Sequence, residues 1–169
     1  ASSGHALFAA PVPIESNAEE IVRGLEKVYA TKGVICEFEI NPAARFHGEP
    51  GDLQELMGNL LENAFKWARS RVLLTATPTT TVGNRRAGLL LAVDDDGPGI
   101  APEHLPRLFE RFYRVDKARS RELGGTGLGL AIVKHLAEGM GASVTVDSEL
   151  GRGTCFRVAV PPAASRASG

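Results

Sequence analysis

Apolar residues follow helical spacing in three stretches of this chain and form strand-like runs in six others. Ile21, Val22, Leu25, Val28 and Tyr29 lie on one face of a first helix. Ser16 or Asn17 can cap it, Glu19 and Glu20 fall in its first turn, and Gly33 stops it. VICEFEI (34–40) has the composition and alternation of a strand, and ARFHG (44–48) is a candidate partner strand. From Pro50 to about Ala68 a second helix carries Leu53, Leu56, Met57, Leu60, Leu61, Ala64 and Phe65. RVLLTAT (71–77) and GLLLAVD (88–94) flank a Pro/Thr/Gly/Asn loop and predict a hairpin. A third helix is predicted from about Gly127 to Glu138, and ASVTVDS (142–148) and TCFRVAV (154–160) flank a turn at Glu149–Gly153. This interleaving predicts an α+β fold, a two-layer sandwich in which a mixed sheet is backed by three helices on one face.

Residues 1–16 read as a tail and a short extended piece held by Pro11 and Pro13, and 162–169 as a second tail. The folded domain is therefore expected over 17–161. The Gly- and charge-rich connection from Gly97 to about Gly125 is longer than a compact domain tolerates without a use for it, which makes it a candidate flexible lid.

Composition narrows the function. Nineteen Lys+Arg against twenty Asp+Glu give a net charge of −1, so no field for a polyanion follows and nucleic acid is not expected as a partner. Cys36 and Cys155 form no metal or redox spacing and read as small apolar residues inside strands. No run approaches the roughly 18 apolar residues of a spanning helix, so this stretch is not expected to cross a membrane itself.

Three groups of residues carry candidate chemistry. Asp94-Asp95-Asp96-Gly97-Pro98-Gly99-Ile100 places an acid at the end of a buried strand, followed by glycines that let backbone approach a flat ligand. A carboxylate there suits the exocyclic amine of adenine, although an ordinary acidic turn has the same composition. Gly124-Gly125-Thr126-Gly127-Leu128-Gly129-Leu130 runs directly into an apolar helix, where exposed amides can bind phosphate; a plain flexible joint is the alternative. It is neither a Walker loop nor a dinucleotide fingerprint, lacking the G-K-[ST] of the first and the preceding strand of the second. In the second helix Asn59, Asn63 and Lys66 stand at i, i+4 and i+7, one polar face on an otherwise apolar element. Two amides and an ammonium turned toward a core call for a polar ligand, unless the face is simply solvated. An Asn carbonyl can ligate Mg²⁺, and Trp67 offers an aromatic wall.

Taken together, NLLENAFKW (59–67), DDGPGI (95–100), LFERFYR (108–114) and GGTGLGLAIVK (124–134) resemble the N, G1, F and G2 boxes of sensor histidine kinases, in order and spacing. DSELGRGTCFRVAVP (147–161) is similar to their final hairpin, and 48–64 is most similar to PhoQ-type kinases. The resemblance implies the Bergerat fold of the gyrase, Hsp90, histidine kinase and MutL superfamily, with ATP between sheet and lid and Mg²⁺ as its metal. Position by position, it implies that Asp95 binds the adenine amine and that Gly97, Gly99 and Ile100 line the base pocket. Asn63 would hold Mg²⁺, Asn59 and Lys66 would stand at the phosphates, and Trp67 beside the base. Gly125, Thr126, Gly127, Leu128 and Gly129 would bring lid and helix amides to the phosphates. Arg114, ending the F box among six cations from Arg107 to Arg121, is the candidate for the γ-phosphate. Glu62 is a candidate to orient water or the acceptor proton, or a helix-surface acid.

Hydrolytic branches of this superfamily carry a water-activating glutamate where Asn59 stands, and an amide cannot act as that base. Kinase is thereby expected over ATPase. His5, His47, His104 and His135 all lack the H-E-x-x-x-P setting of the phosphoacceptor, which is expected on a separate dimerisation domain preceding Ala1. The resemblance further implies a response regulator as partner, a homodimeric full-length protein, and a cytoplasmic position in an inner-membrane sensor. A nucleotide-binding regulator without transferase activity and an anti-sigma-type serine kinase on the same fold remain the rival readings.

Overall fold

The computed structural model describes residues 11–80, 87–113 and 128–162. Among these, α1 (Ile14–Val28), β1 (Ile35–Ile40), α2 (Pro50–Trp67), β2 (Arg71–Thr79), β3 (Gly88–Asp95), α3 (Gly129–Met140), β4 (Ser143–Glu149) and β5 (Gly153–Val160) follow in chain order. The five strands form one sheet in the order β1-β2-β3-β5-β4. β1 runs parallel to β2, and the other pairings are antiparallel, so the sheet is mixed as expected.

Alternation divides this sheet into two unlike faces. Val72, Leu74 and Ala76 of β2, Leu89, Leu91 and Val93 of β3, and Phe156, Val158 and Val160 of β5 are all buried against the helices. The other face carries ion pairs, Arg71 with Glu37 and Arg157 with Asp147. The helical layer is centred on α2, whose Leu53, Leu56, Met57, Leu60, Leu61, Ala64 and Phe65 are buried without exception. Pro50 opens α2 at a position where its missing amide hydrogen costs nothing. Each buried leucine of that face contributes about 1.5–3 kcal/mol relative to exposure.

Several expectations are corrected. ARFHG does not form a strand beside β1; Phe46 makes one antiparallel bridge to Val12 and buries its ring in the core. The place beside β1 belongs to β2, which offers a full parallel register from Ile35↔Arg71 to Ile40↔Ala76. Helix α1 starts at Ile14 rather than after Ser16, because Ile14 itself is buried and Pro13 stands as the cap. Asn17 then lies within the helix and donates back to the Pro13 carbonyl at 2.6 Å. The α-helix also ends early, at Val28; a 3-10 turn (Ala30–Lys32) follows, and Gly33 with φ 64° ends that turn instead. Val28 is 71% exposed, off the apolar face that its spacing suggested. Finally, α3 starts two residues later than expected, and Cys36 is half-buried on the edge strand while Cys155 is buried.

Candidate functional site

The site begins with α2. Asn59, Asn63, Lys66 and Trp67 are half-buried along its C-terminal half, whereas Glu62 is exposed. Glu62 lines a groove shared with Ile21 and Leu25 of α1, and Asn59 borders the same groove. Nδ2 of Asn59 donates to the Glu55 carbonyl at 2.8 Å, which leaves its Oδ1 toward α3. A Cβ on Gly129 would lie 3.2 Å from that oxygen, so glycine there lets the start of α3 settle against Asn59. Asn63 makes no side-chain hydrogen bond among the described residues. The Lys66 ammonium lies 5.4 Å from the centroid of the Trp67 ring. The last turn of α2 is held from outside by Lys32, which donates to the carbonyls of Phe65 (2.9 Å) and Lys66 (2.6 Å). No local pattern signals a capping cation supplied by another element, so the sequence reading missed it.

The opposing wall is the end of β3. Alternation puts Asp95 in the row of Leu89, Leu91 and Val93, on the helix-covered face, while Asp94 falls on the other. The Asp95 Oδ1 accepts the Gly97 amide at 2.8 Å. Burial pushes this carboxyl up to about 6; the amides of Gly97 and Thr154 work against that rise, and the charges of Asp96 and Asp94 add to it. An acid held ready to accept, with no ion pair among the described residues, is what a ligand's amine needs.

The glycines of this loop are explained by close approach. A Cβ on Gly97 would meet the Trp67 carbonyl oxygen at 2.5 Å, so β3 can pass the end of α2 only with glycine there. Gly99, at φ 79°, would meet the Glu149 carbonyl oxygen at 2.3 Å. Its constraint therefore comes from the β4–β5 turn. Ile100 is tied to the same hairpin: its amide donates to Ser148 Oγ at 2.7 Å, and that hydroxyl also meets Thr154 Oγ1 at 2.8 Å. Thr154 is a buried polar residue, 7% exposed, beside Asp95. Ser148 and Thr154 belong to the final-hairpin resemblance, yet the sequence reading gave them no role.

Helix α3 starts at Gly129 with Leu128 as its cap residue, and no acid occupies its first turn. Its N-terminal end faces Asn59 of α2. Arg114, Gly125, Thr126 and Gly127 lie outside the described residues, as does the proposed lid from residue 114 on. The first part of that connection is a 3-10 helix, Pro102–Arg107, anchored by buried Leu108 and by Phe109, whose ring meets Phe156 edge-on at 6.1 Å. Arg107 is paired with Glu110 at 3.1 Å and stacks on Tyr113, so this cation already has partners within the segment. His104 pairs with the Tyr113 hydroxyl, an ordinary structural role.

A mixed sheet with one helix-covered face, an acid at the inner end of its central strand and an Asn-bearing helix opposite define a known class of ATPase. The family described as histidine kinase-, DNA gyrase B-, and HSP90-like ATPase matches residues 48–164, and the chain belongs to it. Sensor histidine kinase YkoH of Bacillus subtilis is 44% identical over 137 residues, 81% of this chain and 28% of that protein. The phosphate regulon sensor protein PhoR of Pseudomonas aeruginosa is 34% identical over 160 residues, 90% of this chain and 34% of that protein. The chain is thus similar to about a third of each relative's length or less. Among solved structures, full-length ShkA in complex with AMPPNP superposes with a TM-score of 0.73 at 33% identity, over 90% of this chain and 31% of that one. The mycobacterial sensor histidine kinase MprB gives 0.72 at 26%, over 90% and 97%. Among the described residues no helix is long and apolar enough to cross a membrane.

Proposed function

We propose that this chain is the ATP-binding catalytic domain of a sensor histidine kinase, which passes the γ-phosphoryl group of ATP to a histidine on a separate dimerisation domain. The observation that carries this reading is the placement of Asp95. It is the polar end of a buried row on the helix-covered face, two residues before Gly97 passes the Trp67 carbonyl at the end of α2, and the start of α3 meets Asn59 of that same helix. In this reading Asp95 accepts from the adenine amine, Trp67 flanks the base, and Gly97, Gly99 and Ile100 shape its edge. Lys66 and the amides at the start of α3, from Leu128 onward, take the phosphates, joined by Gly125, Thr126, Gly127 and Arg114. Mg²⁺ would be held through the Asn63 carbonyl together with phosphate oxygens and water, and would neutralise phosphate charge. The free side chain of Asn63 fits that role, since its oxygen is not committed elsewhere among the described residues.

A neutral imidazole is already nucleophilic, so positioning and charge neutralisation supply most of the rate. Asn59 provides no base for water, and its amide nitrogen is tied to Glu55. The domain by itself is therefore expected to turn over ATP far below about 10 per second, an ordinary enzyme rate; a phosphate-release assay reaching that rate would favour the hydrolytic branch. Asn63→Ala is expected to weaken Mg·ATP by about tenfold while leaving ATP in EDTA nearly unchanged, because it removes a metal ligand and not a base contact. Equal losses with and without the metal, measured by calorimetry, would contradict the assignment.

The dimerisation domain, the response regulator, the homodimeric full-length protein and the cytoplasmic position in an inner-membrane sensor belong to this same reading. It is tested with a longer polypeptide that includes the preceding phosphoacceptor helices and γ-labelled ATP. Acid-labile, base-stable label on histidine is the expected result. Acid-stable label would point to a serine acceptor, and nucleotide binding without label would leave a regulator.

A further inference from the structure

The third acid of the Asp94-Asp95-Asp96 run has no part in the function so far, yet it is the most hydrogen-bonded carboxylate among the described residues. Its Oδ1 accepts three successive backbone amides, from Arg69 at 2.9 Å, Ser70 at 3.0 Å and Arg71 at 3.1 Å. Its Oδ2 takes the Ser70 hydroxyl at 2.6 Å. Its own amide donates to the Arg71 carbonyl at 3.3 Å. The segment it grips is the turn between Trp67, the last residue of α2, and Arg71, the first of β2. Three amides converging on one carboxylate form a strong anchor, since charge-assisted hydrogen bonds are shorter and stronger than neutral ones.

We propose that Asp96 is the positioning residue of the base site: it fastens the end of β3 to the end of α2 and so fixes where Asp95 stands relative to Trp67, Lys66 and Asn63. The loop beyond supports this, because Gly97 passes the Trp67 carbonyl with no room for a Cβ. A small slip of the turn would therefore move the base wall and the phosphate-facing helix apart. The inference rests on the reading of Asp95 as the adenine acceptor.

Asp96 also acts through its charge. Desolvation tends to raise its carboxyl, but the Ser70 hydroxyl and the amides of Ser70, Arg71 and Arg69 hold it down at about 2. It is therefore ionised throughout the range in which Asp95, raised to about 6, takes up its proton. The other charged groups on the elements packed against this end of β3 are Asp94 beside it, Lys66 on α2, Arg69 and Arg71 at the turn, and Glu149 and Arg152 at the β4–β5 turn. Asp95 accepts more strongly when ionised, because a proton turns one of its oxygens into a donor, so nucleotide affinity is expected to fall as pH drops through about 6.

Calorimetric titration of AMPPNP between pH 5 and 8 tests the proposal with Asp96→Asn, Asp96→Ala and, as reference, Asp95→Asn. Asp96→Asn keeps an oxygen for the three amides but removes the charge. Its affinity at pH 8 should stay close to that of the unmodified protein, while the midpoint of the pH dependence falls by about half a unit. Asp96→Ala has no acceptor, and its affinity at pH 8 should drop about tenfold. Thermal unfolding shows whether each variant is folded; should the alanine variant not fold, Asp96→Ser, whose shorter side chain cannot hold all three amides, replaces it. A folded Asp96→Ala or Asp96→Ser that binds as tightly as the unmodified protein overturns the positioning role, and an unmoved midpoint in Asp96→Asn overturns the part assigned to its charge. If Asp95→Asn itself binds normally, the base reading fails and this inference with it. If Asp95→Asn loses binding while the Asp96 variants behave as unmodified protein, only the positioning role falls.

Discussion

Asp95→Asn is expected to lower ATP affinity by about 100-fold, since hydrogen bonds to charged groups are worth about 1.5–3 kcal/mol and a repelled partner adds to the loss. The carboxylate has only acceptors to offer. An asparagine that keeps its oxygen on the Gly97 amide, which Asp95 Oδ1 meets at 2.8 Å, turns its NH₂ toward the adenine amine. Two donors then face each other. Loss of folding would mimic this result, and the sign of the stability change separates the two. An acid whose folded pKa is raised stabilises the fold below the unfolded value near 3.9, and that contribution is lost as pH rises through about 6. At pH 7.5 the ligand-free protein therefore carries an unfavourable ionised Asp95, which asparagine relieves. The variant should unfold at the same or a higher temperature without nucleotide, and gain almost nothing when nucleotide is added. Calorimetric affinity within about twofold of the unmodified protein would refute the adenine assignment.

The largest effect on the fold is expected from Gly153→Ala. At φ 142° this residue occupies backbone space that side chains rarely adopt, and a Cβ there would sit 2.0 Å from the Asp95 carbonyl oxygen and 3.2 Å from the Asp96 Cα. Both neighbours are backbone, at the last residue of β3 (the central strand of the sheet) and the residue after it, so neither can swing aside. Strain and overpacking together are expected to cost about 3 kcal/mol or more, a drop of about 10 °C in the unfolding midpoint. Gly151→Ala is the control, because Gly151 has φ 84° but nothing within 4 Å of the added carbon. It should cost only about 1 kcal/mol, the strain of the left-handed conformation alone. Differential scanning calorimetry of both variants makes the comparison; similar losses would mean that the contact with β3 is relieved at little cost. Because the obstructed atom belongs to Asp95, a folded Gly153→Ala protein should also bind nucleotide poorly.

Period alone identified the elements that make the site. Seven apolar residues at helical spacing define α2 within a residue of its observed ends, and the same spacing leaves Asn59, Asn63 and Lys66 together on the remaining face. Alternation in GLLLAVDD likewise determines that Asp95 shares the face of Leu91 and Val93, which makes it the acid that the core side receives. These are local properties: the direction of a side chain follows from its place in a helix or strand. The sequence could not show that ARFHG fails as a strand, because a strand exists only through its partner, and β2 matches β1 over six residue pairs. Nor could it show that Ile14 belongs in the core and so starts α1 early.

Approach distances were decided by tertiary structure alone. Gly97, Gly99 and Gly153 look alike in sequence, but each is required by a different backbone carbonyl, those of Trp67, Glu149 and Asp95. Lys32 reaches the last turn of α2, and Asp96 grips the turn after it, from distant places in the chain. Periodicity carries no information about such contacts, since they depend on where whole elements come to rest. The chain itself thus determined which side chains are available for a nucleotide, while the packing of the end of β3 between the β4–β5 turn and the end of α2 decided how those side chains are held, because only the assembled layers bring these backbones within a few ångströms of one another.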